Sequence, residues 1–186
     1  MRFRRIIASI IDLALLLFTF SAVIGIFPLT NETRNNYNKI DEIEKKSELT
    51  ADEEKELNKL YYEIEHENVK YYLMFSVILI IYLIIIPKYR KDQTIGQRIM
   101  KIRLVSDSTI TMNTYVIRAV LNSGISIFLI SSLMLYILNI VWYSMLASIL
   151  ILFQITYWFI SFIMLLISNQ TLHDRITRTK IIEVKR

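Results

Sequence analysis

The chain contains no cysteine, which excludes disulfides, thiolate zinc sites and thiol catalysis. Its only histidines, His66 and His173, lie far apart in sequence, so no histidine-based metal cluster is expected. Three glycines and two prolines are too few for a loop-rich or low-complexity architecture. There is no glycine-rich phosphate loop and no paired-carboxylate motif. No serine or second histidine stands near His173 and Asp174 at a catalytic spacing. Neither an enzyme nor a bound cofactor is therefore expected.

What the chain has in plenty is apolar sequence. Hydrophobic residues make up 54% and the mean hydropathy is +0.41, high for a domain with an ordinary polar surface. The abundance of Ile, Lys and Asn fits an AT-rich bacterial genome. A helix crossing a bilayer needs roughly 20 apolar residues. Residues 6–29 meet that length with Asp12 as their one charge, and residues 71–86 form a shorter run that Val69 and the Tyr71 and Tyr72 pair extend. Residues 115–168 are too long for one span and divide near 139–144, where Trp142 and Tyr143 suit an interface. Four spans follow, the third near 116–138 and the fourth near 144–168. No Gly/Pro-interrupted helix of the transporter kind is read in them. A cleaved signal peptide at the N terminus is disfavoured, because the apolar run is too long and contains Asp12.

Charge sets the expected direction. Residues 31–70 hold 12 acidic and 7 basic side chains; the other 15 Lys and Arg fall within residues 2–5, 88–118 and 175–186. With four spans these three basic segments share one side, which the resistance of Lys and Arg to translocation makes cytoplasmic. The expectation is an all-α membrane protein of one domain, residues 1–186, with four transmembrane helices and both termini cytoplasmic. It lies in a cell membrane as a multi-pass protein. The net charge of +5 is then a matter of topology, and nucleic acid is not an expected partner.

The outer segment, residues 31–70, reads as an extracytoplasmic helical hairpin. Thr50 and Glu53 form a capping-box pattern, and Leu57, Leu60, Tyr61 and Ile64 repeat on one helix face. Ile40 and Ile43 mark a shorter helix before it, and the second arm is expected to run on into the second span. His66, between Glu65 and Glu67, reads as an ordinary surface histidine. On the inner face, residues 88–115 form a loop in which Thr94 caps a helix starting at Ile95. Ile95, Ile99 and Ile102 then face one way, as in an in-plane amphipathic turn. Residues 100–105 and 109–112 read as short strands around the SDS turn, and the tail, residues 169–186, adds a strand over 179–185. Together these make a small cytoplasmic β element.

Polar residues inside the spans carry the functional question. Asp12 lies about 10 Å inside the first span at ~1.5 Å per residue. A carboxylate there has to be paired, hydrated or protonated. Arg5 and Thr19 stand seven residues to either side on the same helix face. Arg118, Asn122 and Ser126, spaced by four, form a matching stripe on the third span. The simplest arrangement sets Asp12 against Arg118 or Asn122, with Arg5 near the headgroups. Gln154 lies deeper, near the middle of the fourth span. Asp174 is expected to clasp the tail to Arg98, Arg103 or Arg5. In one reading Asp12 is an ion-pair partner that fixes helix register. In the other it exchanges a proton for a cation.

These motifs resemble those of the RDD family of multi-pass membrane proteins, named for one arginine and two aspartates. RRIIASIID resembles that family's first-helix signature, with Arg5 and Asp12 as arginine and first aspartate. TIGQRIMKIRLV resembles the T-P-G-K-R-L-L-G-L-R-V-V segment after the second helix, and includes Arg103. TLHDRITRTKII resembles the L-H-D…G-T-x-V-V close, with Asp174 as the second aspartate. Arg118 matches an arginine that opens the family's third helix. Thr94, Gly96, His173 and Thr179 stand as expected, whereas Ile95 replaces a proline and Lys101 and Arg178 each replace a glycine. The outer hairpin is outside the resemblance. The resemblance implies a membrane bundle and a suspected transport role, cation/proton exchange with monovalent cations being its most concrete form. It equally implies, for other members, an adaptor that binds a protein partner or assembles as a homo-oligomer in the lipid bilayer.

Overall fold

A computed structural model of the chain describes residues 1–46, 48–106 and 109–184. Helix α1 covers Arg2–Ile26, α2 covers Asn31–Glu44 and α3 covers Ala51–Ile80. A π-helical turn, Ile81–Ile85, carries α3 without a break into α4, Ile86–Tyr89. Then come α5 (Ile95–Ile99), β1 (Ile102–Ser106), α6 (Met112–Ser123), α7 (Ile125–Ile137), α8 (Ile140–Ser168), α9 (Leu172–Ile176) and β2 (Thr179–Glu183).

Among the described residues, three helices are long and apolar enough to cross a membrane: Arg2–Ile26, Ala51–Tyr89 and Ile140–Ser168. A fourth span exists if the bent pair α6 and α7 counts as one, with 74° between its halves. The expected third span over 116–138 is thus interrupted. Gly124 sits at the break with φ +71°, a backbone region that glycine occupies without steric cost. Large apolar side chains on α8 such as Leu152, Phe153 and Phe159 stay exposed, as residues facing hydrocarbon would.

The acidic segment forms a helical hairpin with its own core. Ile40 and Ile43 of α2 pack on Leu60 and Ile64 of α3. The capping box forms: the Glu53 N–H donates to the Thr50 hydroxyl, and the Glu53 carboxylate accepts from the Thr50 N–H at 2.8 Å. Tyr61 departs from the expected buried face; it is exposed and its hydroxyl donates to Glu44 at 2.6 Å. As expected, the second arm and the second span are one helix. Glu65 fastens it to α8, accepting from the hydroxyls of Tyr72 at 2.7 Å and Tyr143 at 3.2 Å.

At the opposite end lies a two-stranded antiparallel sheet pairing Ile102 with Glu183 and Leu104 with Ile181. Alternation turns Ile102, Leu104 and Ile181 into the core with Ala8, Tyr115 and Ala119. The tail therefore packs on the loop, as expected. The expected strand over 109–112 does not form, because Thr111 is the N-cap residue of α6 and Met112 is already helical. Residues 107 and 108 of the SDS turn lie outside the described residues. The in-plane turn is also shorter than read: α5 ends at Ile99, which is exposed, and Ile102 belongs to β1.

A repeat underlies this end. TIGQRIMKIRLV, from Thr94, and TLHDRITRTKII, from Thr171, align on a leading threonine, an Arg-Ile pair and a basic residue just before the strand. Each is a threonine-capped helical turn, a left-handed residue and a strand. Their strands pair about a local twofold, Ile102 with Glu183 and Ser106 with Thr179. The left-handed positions are Lys101, φ 54°, and Arg178, φ 51°, the two places where the sequence reading noted absent glycines. The backbone keeps its course there at the steric cost of a side chain, about 1 kcal/mol each. Lys101→Gly is expected to raise stability by about that amount, or Tm by about 2–4 °C, in a thermal melt of the detergent-solubilised protein.

Candidate functional site

Asp12 and Asp174 occupy two different centres near the sheet end. Asp12 does not meet Arg118 or Asn122, as the helix-face argument expected. Its carboxylate accepts from the Tyr82 hydroxyl at 2.5 Å, the Thr94 hydroxyl at 2.6 Å and the Gly96 N–H at 2.7 Å. All three donors are neutral. Pro87 lacks an N–H and its ring crowds the carbonyl four residues back. The π turn just before it absorbs that conflict and carries Tyr82. Thr94 reaches Asp12 from the N-cap position of α5, and the Gly96 amide is free for Asp12 because first-turn N–H groups have no helical partner. A Cβ on Gly96 would fall on the Ala8 carbonyl oxygen and stand 2.7 Å from Asp12 Oδ1. Glycine is needed here for the close approach of α5 to α1.

Asp174 is fully buried and holds two guanidinium groups. Arg5 Nη2 lies 2.5 Å from one carboxylate oxygen and Arg118 Nη1 2.6 Å from the other. The Thr171 N–H donates to Asp174 at 3.0 Å, which closes the capping box of α9. Arg5 also donates to the Asn169 carbonyl at 2.6 Å and Arg118 to the Thr179 hydroxyl at 2.5 Å. Of the three expected clasp partners, Arg5 is the one the structure supplies, and Arg118 is the one the reading assigned elsewhere. Arg103 is exposed on β1 opposite Ile182, and Arg98 is exposed on α5. Burial by itself raises the Asp174 pKa, but Arg118 and Arg5 outweigh it and hold the carboxyl well below the usual range. Burial first, then Arg118, pushes the neighbouring His173 down to about 3. His173 Nδ1 is buried without a hydrogen-bond partner.

A cavity of about 570 Å³ separates α1 from α6 and α8. Asp12, Arg118, Leu16, Phe20, Phe128 and Trp158 are among its walls. The break at Gly124 borders it. Gln154 Nε2 donates to the Leu121 carbonyl at 3.0 Å and Trp158 Nε1 to the Asn122 carbonyl at 2.8 Å. These carbonyls end α6 and would otherwise lack helical partners. Gln154 is thus a structural cap from α8. Asn122 itself is exposed, and Ser126 lies beyond the break on α7, so the stripe with Arg118 does not form. Thr19 is exposed and its hydroxyl donates back to the Leu15 carbonyl at 2.8 Å. The linear reading missed Tyr82, Gly124 and Asp92, whose carboxylate accepts from the Tyr115 hydroxyl. A lone tyrosine amid isoleucines and one of only three glycines were the available signals.

The apolar helices and the buried polar centres at one end define a multi-pass helical membrane protein. A model of the RDD family matches residues 2–178, and the chain belongs to that family. Among curated proteins and among solved structures, nothing matches the chain.

Two outcomes follow from this geometry. Gly96→Ala is expected to cost about 1–3 kcal/mol, the range for forcing atoms into a packed site, and to lower the Tm in the same thermal melt. The second outcome is acid sensitivity. His173 is held neutral in the fold but protonates near 6.5 when unfolded, so its contribution is complete above that pH and declines as pH falls towards 3. Asp174, with its folded pKa depressed, adds a further loss below its ordinary value of 3.8. A Tm profile from pH 7.5 to 4.5 should fall, and His173→Gln should flatten it over that range.

Proposed function

We propose that the protein is a small cell-membrane transporter that exchanges a proton for a cation at Asp12. One observation carries this reading. Asp12 is a carboxylate on a cavity wall with neutral hydrogen-bond donors and, among the described residues, no guanidinium or ammonium partner. A carboxylate accepts about four hydrogen bonds, so three donors leave room for a proton or a cation from the cavity. Two further features support it. The third span is discontinuous beside the cavity, and transporters often place their sites at broken helices between structural repeats. The similar segments at 94–105 and 171–182 each follow a pair of apolar runs. In this reading the sheet end and both termini are cytoplasmic, the hairpin is outside, and the protein is neither an enzyme nor a cofactor carrier.

A second reading, a non-transporting scaffold, draws on the separate core of the outer hairpin and its rigid continuation into the second span. Protein reconstituted in sealed liposomes under a pH gradient decides between them. Na⁺, K⁺, Li⁺, tetraethylammonium or a lipophilic amine is added outside while a dye reports internal pH. Exchange requires that at least one of these collapse the gradient faster than in protein-free liposomes, and that Asp12→Asn abolish the effect. A folded, correctly inserted protein that responds to none of them overturns exchange. Loss of a captured protein partner on deletion of residues 35–68 would then favour the scaffold.

A further inference from the structure

We propose that the cation received at Asp12 is an amphipathic organic cation, a tertiary or secondary amine with an apolar body. This rests on the reading of Asp12 as a cation site and names the class of cation. The first argument is size and lining. The cavity of about 570 Å³ falls in the range of sites for drug-sized molecules, which are mostly apolar with a few placed polar groups. From Asp12, the α1 wall runs through Leu16 to Phe20, about 12 Å at ~1.5 Å per residue. Phe128 and Trp158 face it from α7 and α8, and aromatic faces attract organic cations.

The second argument is charge. Arg5 and Arg118 border the cavity, but Asp174 binds both. Asp92, held by Tyr115, also lines the cavity. Two guanidinium groups are thus set against two carboxylates, and Asp12 is the excess negative charge. His173, also on the wall, is neutral. A single positive charge on the occupant completes the balance.

The third argument is coordination. A bare hard cation needs several oxygens around it. Tyr82, Thr94 and Gly96 already take three of the roughly four acceptor sites of the Asp12 carboxylate. The α1 wall around the remaining one is Leu13 and Leu16. That suits a nitrogen with one N–H and an apolar body better than it suits a stripped alkali ion.

The test uses full-length protein in nanodiscs, with imipramine as the amine, carbamazepine as its neutral tricyclic counterpart, and Na⁺, K⁺ and Li⁺. Carbodiimide modification of Asp12 is read by peptide mass spectrometry. Emission from Trp158 is read in parallel in Trp142→Phe, which leaves Trp158 as the one tryptophan. At about ten times its Kd, imipramine is expected to protect Asp12 about tenfold and to shift Trp158 emission saturably, with carbamazepine and the alkali ions inert in both. Leu16→Phe, which fills the apolar part of the cavity without adding a tryptophan, should weaken imipramine about tenfold, or about 1.4 kcal/mol, while Asp12 still reacts. Protection by alkali ions and not by imipramine overturns this inference and leaves Asp12 as a cation site. Should neither protect Asp12 nor move Trp158 emission, both readings fall. Should Asp12 resist modification, the Trp158 titration with Leu16→Phe decides alone: no saturable shift, or one that Leu16→Phe leaves unchanged, overturns the inference.

Discussion

The carboxylate of Asp174, buried between the guanidinium groups of Arg5 and Arg118, is the interaction on which this end of the molecule depends. A charge taken wholly out of water must be paired and hydrogen-bonded, and removing one partner from such a group costs about 3–5 kcal/mol. Here the partners come from α1 and α6, and the carboxylate itself caps α9. Three distant stretches of chain are thereby tied at one point. Placing α9 places β2, β2 places β1 by pairing, and β1 follows directly from α5. Only with α5 in position do Thr94 and Gly96 meet Asp12. The neutral cradle of one aspartate therefore rests on the ionic clasp of the other.

The two centres are built on the same unit and use it in opposite ways. Each unit is a threonine-capped turn, a left-handed residue and a strand. In the first, Gly96 keeps the turn bare, so that its amide and the Thr94 hydroxyl donate to a carboxylate from α1. In the second, the equivalent turn bears His173 and Asp174, so the unit supplies the carboxylate and receives guanidinium groups instead. One result is a sealed ion cluster; the other is a carboxylate left facing a cavity.

Much of this was legible in the sequence, for reasons that are local. The apolar runs, the capping box at Thr50 and Glu53 and the cap at Thr94 depend on residues close in sequence or on hydropathy alone, as does the strand pattern of the tail, though its pairing with β1 is long-range. The polar stripes were misread because helix-face arithmetic says where a side chain points but not whether it needs a partner. Thr19 satisfies its own hydroxyl on the carbonyl four residues back. Arg118, Asn122 and Ser126 share a face only on a straight helix, and the turn at Gly124 bends that helix by 74°.

The sequence by itself determined that the chain belongs in a membrane and where α3 and α5 begin, and its family resemblance singled out Arg5, Asp12 and Asp174. Hydropathy, capping and charge act over short stretches and can be read along a line. Only the tertiary structure decided which aspartate meets the arginines and which faces the cavity. Two carboxylates and two guanidinium groups near one end allow several pairings. The choice among them is made by backbone placement: the close approach at Gly96, the π turn before Pro87, and a tail folded back to bring Asp174 under α1 and α6.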